Sequence, residues 1–330
     1  MTMNKKIAFY SPLFIVGGME TAVYHLAKLL KETGRYDILF ISRSPHSDKM
    51  VMERYLTVDQ VKYLTNGKQR YGAVWRLTEE DCDIYCDVLI NCSNWDFVLP
   101  TIHAKKTIHW IHGTYLANPA NLNRNNQFVT QSQWQRDKIF KDGMHIEVIP
   151  NIMDEKVVEE LALEYPIFNP MQKFVDMEYI MVCRLSNEKG FSRLVEFMQR
   201  PQNSNALCRV IGEAFTDDVD KHIRDILFPV RDKVIMMGKL ANPYPHIKAS
   251  DAVLVFSDFE TYGLVSKEAH ILGKPVIFHR FDTAKDQFIE GVDQWLGEVD
   301  IPKLRKVRLD YKQTEKASVL KRWEELFNAN

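Results

Sequence analysis

The chain has 330 residues, 45% of them hydrophobic and 26% charged, and this length predicts two domains rather than one core. Its 43 Lys and Arg nearly balance 44 Asp and Glu, which argues against a general nucleic-acid binder, because such a protein needs a basic excess. The five scattered Cys and the lack of a long apolar run exclude a secreted disulfide scaffold and a membrane-spanning protein.

Short apolar runs alternate with helical patterns along the first half of the chain, and they are bounded by polar or turn residues. They predict buried strands at Ile7–Tyr10, Ile38–Ile41, Val88–Ile90, Thr107–Ile111, Phe128–Thr130 and Ile146–Ile149. After the first run, apolar residues recur at helical spacing from Met19 to Leu30. A strand followed by such a helix, repeated, predicts parallel βαβ units.

A second alternating series follows a polar, proline-marked stretch from Asp154 to Asp176, which we interpret as a helix and an interdomain connection. The strands predicted in this series are Tyr179–Cys183, Leu207–Ile211, Val234–Met237, Ala252–Phe256 and Pro275–Phe278. The tail Thr314–Leu326 has a helical pattern. The sequence thus predicts an α/β fold with two Rossmann-like domains, residues 1–160 and 161–312, and a C-terminal helix within 313–330.

Two adjacent glycines, Gly17 and Gly18, separate the first strand from its helix. Bare backbone N–H groups at a helix start can receive an anion, because the helix dipole favours negative charge there. The spacing is not the GxGxxG dinucleotide fingerprint. A tight turn without a ligand explains the two glycines equally well.

Charged residues gather after two predicted strands of the second domain. Arg184 and Lys189 follow one strand and precede a helix, and both could neutralise a diphosphate. Glu260 follows another strand, and the next helix is predicted to start near Tyr262–Gly263, which places Glu268 about two turns into it. Both carboxylates suit hydrogen bonds from sugar hydroxyls. For each group alone, an ordinary solvated charge is the simpler interpretation.

Taken together, Gly17-Gly18, the Arg184…Lys189-Gly190 pair and the Glu260…Glu268 spacing resemble the retaining glycosyltransferases of family 4. Supporting matches are Val148-Ile149-Pro150-Asn151, Gly212-Glu213 and Gly273-Lys274-Pro275-Val276-Ile277. The resemblance covers most of the chain and is strongest from Glu178 to Phe278. It implies the GT-B fold, in which two Rossmann-like domains face each other across a cleft and a C-terminal helix returns to the first domain.

The resemblance also implies roles for individual residues. Arg184 and Lys189 would bind the donor diphosphate, Glu260 the donor sugar and Glu268 the nucleotide ribose. His112 matches the active-site His near the sugar, and alternation along the preceding strand makes His109 the weaker choice. The other donor-binding positions that it implies are Gly17, Gly18, Gly212, Thr261, Tyr262, Gly263 and Leu264.

The expected activity is transfer of a hexose-type sugar, with retention, from a nucleoside diphosphate donor to a glycan or glycolipid in cell-surface polysaccharide synthesis. UDP is the expected nucleotide, and no metal or cofactor is expected. A non-catalytic GT-B subunit and a nucleotide-sugar epimerase are the alternatives. Asp81-Cys82-Asp83 imitates a metal-binding Asp-x-Asp motif, but we set it aside.

The expected location is the cytoplasm, and no nucleic-acid partner is expected. Peripheral contact with the inner face of the membrane is the open alternative, because two basic stretches could touch anionic lipid. One is the run Lys303–Arg308, and the other is the helix bearing Trp134. The simpler interpretation of both is a solvated face.

Overall fold

The structure is a computed structural model that describes residues 4–42, 47–63, 83–93, 102–114, 127–139, 143–164, 175–304, 306–307, 309 and 315–329. These residues form two compact units. The first comprises the residues up to Met153 together with the C-terminal helix, and the second runs from Asp154 to residue 313.

The described part of the first unit is a seven-stranded parallel sheet with helices. The strands are β1 (Lys5–Ser11), β2 (Tyr36–Ser42), β3 (Gln60–Tyr63), β4 (Ile84–Asn91), β5 (Ile102–Trp110), β6 (Gln127–Thr130) and β7 (His145–Val148). The helices that follow strands are α1 (Gly18–Glu32), α2 (Lys49–Leu56) and α3 (Gln133–Ile139). The strand order is β3-β2-β1-β4-β5-β6-β7, a doubly wound arrangement.

The described part of the second unit repeats this architecture. Its strands are β8 (Met177–Val182), β9 (Ala206–Ile211), β10 (Val234–Gly238), β11 (Ala252–Val255), β12 (Val276–Phe278) and β13 (Gln294–Trp295). Its helices are α4 (Glu155–Leu161), α5 (Phe191–Met198), α6 (Asp217–Leu227), α7 (Tyr244–Ala249), α8 (Leu264–Ile271) and α9 (Ile301–Leu304). The strand order β10-β9-β8-β11-β12-β13 is parallel throughout.

The prediction of an α/β fold with two Rossmann-like units is confirmed, and each predicted strand corresponds to an observed one. Strand β5 begins at Ile102, five residues before the predicted start. The apolar pattern missed its first half because that half is polar, and Lys105 there pairs with Asp87 at 2.6 Å. The edge strands β3 and β13 were not predicted. Each is short and carries little apolar pattern.

The predicted boundary after residue 160 lies within helix α4 (Glu155–Leu161), whereas the two compact units divide between Met153 and Asp154. It cuts helix α4, which packs on helices α7 and α8 and therefore belongs entirely to the second unit. Val157 and Val158 form the buried side of α4.

Helix α10 (Lys316–Asn328) belongs to the first unit, although the whole second unit precedes it in sequence. The indole of Trp323 is fully buried and meets that of Trp110 edge-on, with 5.0 Å between ring centroids. Lys5 and Lys106 donate hydrogen bonds to backbone carbonyls near the end of α10, at 2.9 Å to Phe327 and 2.6 Å to Leu326. No helix in the described part of the chain is long and apolar enough to span a bilayer.

Candidate functional site

The candidate site of the second unit lies at the carboxyl ends of β8 and β11. These strands are neighbours in the sheet, although the chain leaves β8 toward β9 and reaches β11 only three strands later. Such a switch point in a doubly wound sheet leaves a crevice between the loops on its two sides, where ligands bind. The loops after β8 and β11 carry the charged residues that the sequence singled out.

Backbone hydrogen bonds fix the loop after β8. The N–H of Cys183 donates to the carbonyl of Ile211 at 3.0 Å, and that of Leu185 donates to the carbonyl of Glu213 at 3.0 Å. A short 3-10 helix, Asn187–Lys189, then leads into α5. The N–H of Asp258 donates to the carbonyl of Glu188 at 2.7 Å, so the loops after β8 and β11 are joined directly.

Gly190 lets these two loops come together. Its backbone is left-handed, with φ of 77°, and a Cβ atom built on it would lie 2.1 Å from the carbonyl oxygen of Phe256, at the end of β11. A side chain at this position would push the loops apart. The Lys-Gly sequence therefore brings Lys189 beside the loop that bears Glu260.

Lys189 and Glu260 form an ion pair at the centre of the site. The Lys189 ammonium donates to Oε1 of Glu260 at 2.7 Å, and the Ser257 hydroxyl donates to the same oxygen at 2.7 Å. Both side chains are largely buried, with exposed fractions of 14% and 21%. Burial lowers the pKa of Lys189, but the charge and hydrogen bond of Glu260, together with the nearby Cys183 and Glu188, outweigh this effect and hold the pKa above its usual value.

Arg184 lies on the more exposed rim of the site. Its guanidinium donates to Glu188 at 3.1 Å and lies 4.9 Å from the ring centroid of the exposed Phe215. Ser186 also donates to Glu188, at 2.6 Å. Burial raises the pKa of Glu188, but the hydrogen bonds from Ser186, from its own backbone N–H and from Arg184, with the charge of Arg184, together more than offset it, so the carboxyl pKa is lower than usual. Arg184 is thus oriented by a carboxylate and an aromatic ring.

Helix α8 begins at Leu264, directly after Gly263, so its first-turn N–H groups lie at the carboxyl edge of the sheet. The Ser266 hydroxyl donates to the carbonyl of Gly263 at 2.7 Å, which supports this turn. Thr261 and Tyr262 precede it and are half-buried. The helix thus starts one or two residues after the predicted start at Tyr262–Gly263.

Because α8 starts later than predicted, Glu268 stands just over one turn into the helix rather than two. Its carboxyl group is buried, and Oε1 accepts a hydrogen bond from the Tyr244 hydroxyl at 3.3 Å. Tyr244 on α7 therefore fixes the orientation of the Glu268 carboxylate.

Lys267, on the same helix as Glu268, places its ammonium 4.5 Å from the ring centroid of Tyr262 and donates a hydrogen bond to the Tyr262 hydroxyl.

Gly212 directly follows β9, and its close contact with the neighbouring backbone leaves no room for a side chain. A Cβ atom built on it would lie 1.8 Å from the carbonyl oxygen of Cys183, and its φ is 148°. Its N–H donates to the carbonyl of Gly238 at 2.9 Å. Glycine at this position is required for the close approach of the loop that carries Arg184.

In the first unit, Gly17 and Gly18 lie after β1, at the carboxyl edge of that sheet, and both are exposed. Gly17 is the N-cap of α1 and has an extended backbone. The switch point of this sheet lies between β1 and β4, so the two glycines occupy the position in their unit that Arg184 and Lys189 occupy in theirs.

His112 follows β5, which ends at Trp110, and its ring lies 4.5 Å from the Trp110 ring. Burial lowers the pKa of His112 to about 3, so its imidazole is neutral at physiological pH. His109 is buried inside the sheet, where it contacts Asn91 at 3.1 Å and stacks on Phe128, and burial lowers its pKa to about 4. A neutral imidazole at His112 can accept or donate a hydrogen bond but carries no charge.

Several residues that shape the site carried no signal in the sequence. Ser257 and Ser186 act through their hydroxyls, Glu188 through its carboxylate and Tyr244 through its phenol. Residues 81 and 82 of the Asp-x-Asp imitation lie outside the described residues. Among those described, no group of three or more His, Cys, Asp or Glu side chains could hold a metal ion.

The folding pattern is that of the GT-B class, as likeness to solved structures shows. HepE from Anabaena, in complex with UDP and glucose, superposes with a TM-score of 0.68 at 16% identity, covering 99% of this chain and 100% of that one. A TarM mutant from S. aureus, in complex with Fondaparinux, alpha-GlcNAc-glycerol and UDP, gives a TM-score of 0.62 at 12% identity, with 98% and 100% covered. The apo lipopolysaccharide outer core galactosyltransferase WaaB gives 0.53 at 16% identity, with 96% and 95% covered.

The sequence itself matches one family. Residues 175–306 match the family model described as glycosyl transferases group 1, and this segment lies within the second unit. It includes Arg184, Lys189, Glu260 and Glu268. No curated protein matches the chain significantly.

Proposed function

We propose that the protein is a retaining glycosyltransferase that moves a hexose-type sugar from a UDP-sugar donor to a glycan or glycolipid acceptor. The observation that carries the proposal is the pairing of Lys189 with Glu260 beside the start of helix α8, within the segment that matches the group 1 family. The UDP and glucose bound by HepE support this donor class, and the name of WaaB supports a role in cell-surface polysaccharide synthesis.

The charges of the site suit departure of a nucleoside diphosphate. When the bond between the anomeric carbon and the β-phosphate oxygen breaks, the electron pair stays on the phosphate, which becomes more negative. Lys189, Arg184 and the first-turn N–H groups of α8 would stabilise this charge, and such preorganised groups are commonly the largest contribution to catalysis. Since these donors can take the place of a divalent cation, we propose a metal-independent reaction.

Glu260 is proposed to hold hydroxyls of the donor sugar, and Glu268 those of the ribose. Lys189 already holds one Glu260 oxygen, so the carboxylate is fixed before the sugar arrives. The spacing of carboxylates reveals no nucleophile of the kind retaining glycosidases use. We therefore propose front-face attack by the acceptor within a tight ion pair, which retains the configuration of the anomeric carbon.

The first experiment measures nucleotide release from a panel of UDP-, GDP- and ADP-sugars. We expect slow release from one UDP-sugar without acceptor and faster release with a matching glycan or glycolipid. Release without any acceptor dependence, together with an altered sugar, would favour an epimerase. Binding of a donor without turnover under all acceptor conditions would favour a non-catalytic subunit, and neither binding nor release would reject the proposal.

Removal of divalent cations provides a separate prediction. We expect the rate of nucleotide release to be the same in EDTA as in Mg²⁺, because the cationic and N–H groups of the second unit stabilise the leaving group. A manganese-dependent glycosyltransferase assayed in parallel controls for chelation. Loss of activity in EDTA that added Mg²⁺ restores would contradict a metal-independent mechanism.

His112 is expected to act as a neutral hydrogen-bonding group. His112→Ala should lower kcat/KM by about 10- to 100-fold, the effect of losing one positioned polar contact. His103→Ala, at an exposed histidine of the same unit, serves as the matched control. Because burial lowers the pKa of His112 to about 3, the Ala variant should keep the wild-type pH profile between pH 5 and 8. A lost inflection in that range would show that His112 titrates during the reaction.

A further inference from the structure

A buried carboxyl group lies directly beneath the exposed glycines of the first unit. Glu20 is the third residue of α1, and only 5% of it is exposed, whereas Gly17 and Gly18 above it are exposed. An acid in the first turn of a helix normally stays in water, where it complements the dipole at little cost. Burial of this one carries a desolvation cost, so its contacts are informative.

The Glu20 carboxylate holds the loop that precedes its own helix. Oε1 accepts a hydrogen bond from the backbone N–H of Ile15 at 3.0 Å. Oε2 lies so near Gly17 that a Cβ atom built there would be 3.0 Å away. The carboxylate therefore holds the backbone at Ile15 through Oε1 and lies close beside Gly17 through Oε2.

Glu20 is itself anchored to the core of the first unit. Its backbone carbonyl accepts a hydrogen bond from the Tyr55 hydroxyl at 3.2 Å, and Tyr55 is fully buried. The Tyr55 ring stacks on Phe40 with 4.2 Å between centroids and meets Phe14 edge-on at 5.1 Å. Helix α2 and strand β2 thus hold the base of the loop, and the Glu20 side chain extends this support to the glycines.

We propose that Glu20 is a positioning residue for the Gly17–Gly18 turn, whose side chain fixes the backbone shape that this turn presents to a substrate of the transfer reaction. The proposal rests on the proposed function for the identity of that substrate. The effect of Glu20 on the loop can be tested separately, because the hydrogen bond from the Ile15 amide to Glu20 can be followed without any turnover.

The ionisation of Glu20 supports this role. Burial raises the pKa of the Glu20 carboxyl to about 7, against the lowering effect of the Ile15 hydrogen bond, and the nearby charge of Asp48 raises it further. The other titratable groups facing it are Tyr55 on α2 and Cys92 after β4, and burial raises the pKa of both. Arg54 faces Tyr55 from the same helix. The carboxylate accepts the Ile15 hydrogen bond more strongly than the neutral acid does.

The sign of the pH effect follows from these values. Ionisation as the pH rises through about 7 should tighten the loop and raise substrate affinity. Stability should change in the opposite direction: the folded protein binds the Glu20 proton more tightly than the unfolded chain, so this contribution to stability is lost as pH rises from about 4.5 to 7.

The test compares Glu20→Ala and Glu20→Gln with Glu32→Gln, a control at an exposed glutamate of the same helix. Hydrogen exchange at the Ile15 amide reports the loop directly, and nucleotide release from the UDP-sugar of the panel reports function. We expect Glu20→Ala to lose Ile15 protection and to lower kcat/KM by about 100-fold, mainly through KM, as for a misplaced contact. Glu20→Gln should restore both, because its amide oxygen can accept the same hydrogen bond, and should remove the pH dependence near 7.

The possible outcomes distinguish failure of the proposed role of Glu20 from failure of the proposed function. Unchanged Ile15 protection in Glu20→Ala would overturn the proposal, as would lost protection with unchanged KM and kcat. An inflection near pH 7 that persists in Glu20→Gln would also overturn it. If the Ala variant does not fold, Glu20→Gln and the pH dependence of Ile15 exchange in the wild type decide the matter. If no donor is turned over by any variant, the exchange data still test the loop, and the proposed function alone fails.

Discussion

Replacing Lys189 with alanine should lower the rate of nucleotide release by about 10²- to 10³-fold, the range observed when one preorganised charge-stabilising group is removed. Lys189 is expected to contribute to catalysis because its ammonium is held next to Glu260 in a largely buried position, where charge is poorly screened. Glu260→Ala should have an effect of similar size, since it removes the acceptor for the sugar and the counter-charge of Lys189 together. Steady-state kinetics with the UDP-sugar of the panel measure both.

Lys221→Ala is the matched control, because Lys221 is an exposed lysine of the same unit, on helix α6. It should keep wild-type kinetics. Circular dichroism should show all three variants folded at 25 °C. A Lys189→Ala variant that is folded and retains more than about a tenth of the wild-type rate would contradict the assigned role, since a direct charge contact contributes more than that.

Replacing Gly190 with alanine should unfold the second unit or lower its stability by more than about 4 kcal/mol, a size that points to a specific steric cause. A methyl group there would sit 2.1 Å from the Phe256 carbonyl oxygen, and φ is 77°. Backbone atoms at the end of β11 cannot yield as a flexible side chain can. The loops after β8 and β11 would separate, taking Lys189 away from Glu260. Thermal unfolding followed by circular dichroism measures this change.

Gly238→Ala distinguishes steric overlap from backbone strain. Gly238 belongs to the same unit and has a φ of 71°, but a Cβ atom built on it meets nothing within 4 Å. Its replacement should cost only the strain of the left-handed backbone, about 1 to 2 kcal/mol. Equal losses of stability in the two variants would show that the contact with Phe256 is unimportant.

The fold could be predicted largely because interior strands of parallel sheets are buried on both faces. Ile38–Ile41 is a continuous apolar run for this reason, and Leu207–Ile211 is apolar except for Arg209, which is buried against Glu178 of β8; both segments are strands in the structure. The unpredicted strands, β3 and β13, lie at sheet edges, where fewer side chains are enclosed. The first half of β5 lacks the apolar pattern as well. Its lysines are polar residues that donate to an acidic side chain and to a backbone carbonyl.

The site could be predicted only in part, because its geometry depends on residues far apart in sequence. Lys189 and Glu260 are 71 positions apart and meet because β8 and β11 are neighbours. The sequence indicated both through a family resemblance, but not their ion pair or the counter-charge that Glu188 provides to Arg184. The burial of Glu20 is also invisible in sequence, where an acid in a first turn looks like an ordinary solvated charge.

The cations proposed to bind the diphosphate are each paired with a carboxylate: Arg184 with Glu188 and Lys189 with Glu260. Such pairing orients the cations and offsets part of the cost of burying them. An arriving diphosphate would therefore compete with Glu188 for the Arg184 guanidinium, since both are anionic acceptors of the same donors.

The position of helix α10 has a consequence for the order in which the protein is made. Trp323 completes the packing around Trp110, yet it is translated only after all the residues of the second unit. During synthesis, α10 therefore cannot cover the Trp110 side of the first sheet until the residues of the second unit have been translated. The first unit can therefore complete its packing only after every residue of the second unit has been added to the chain.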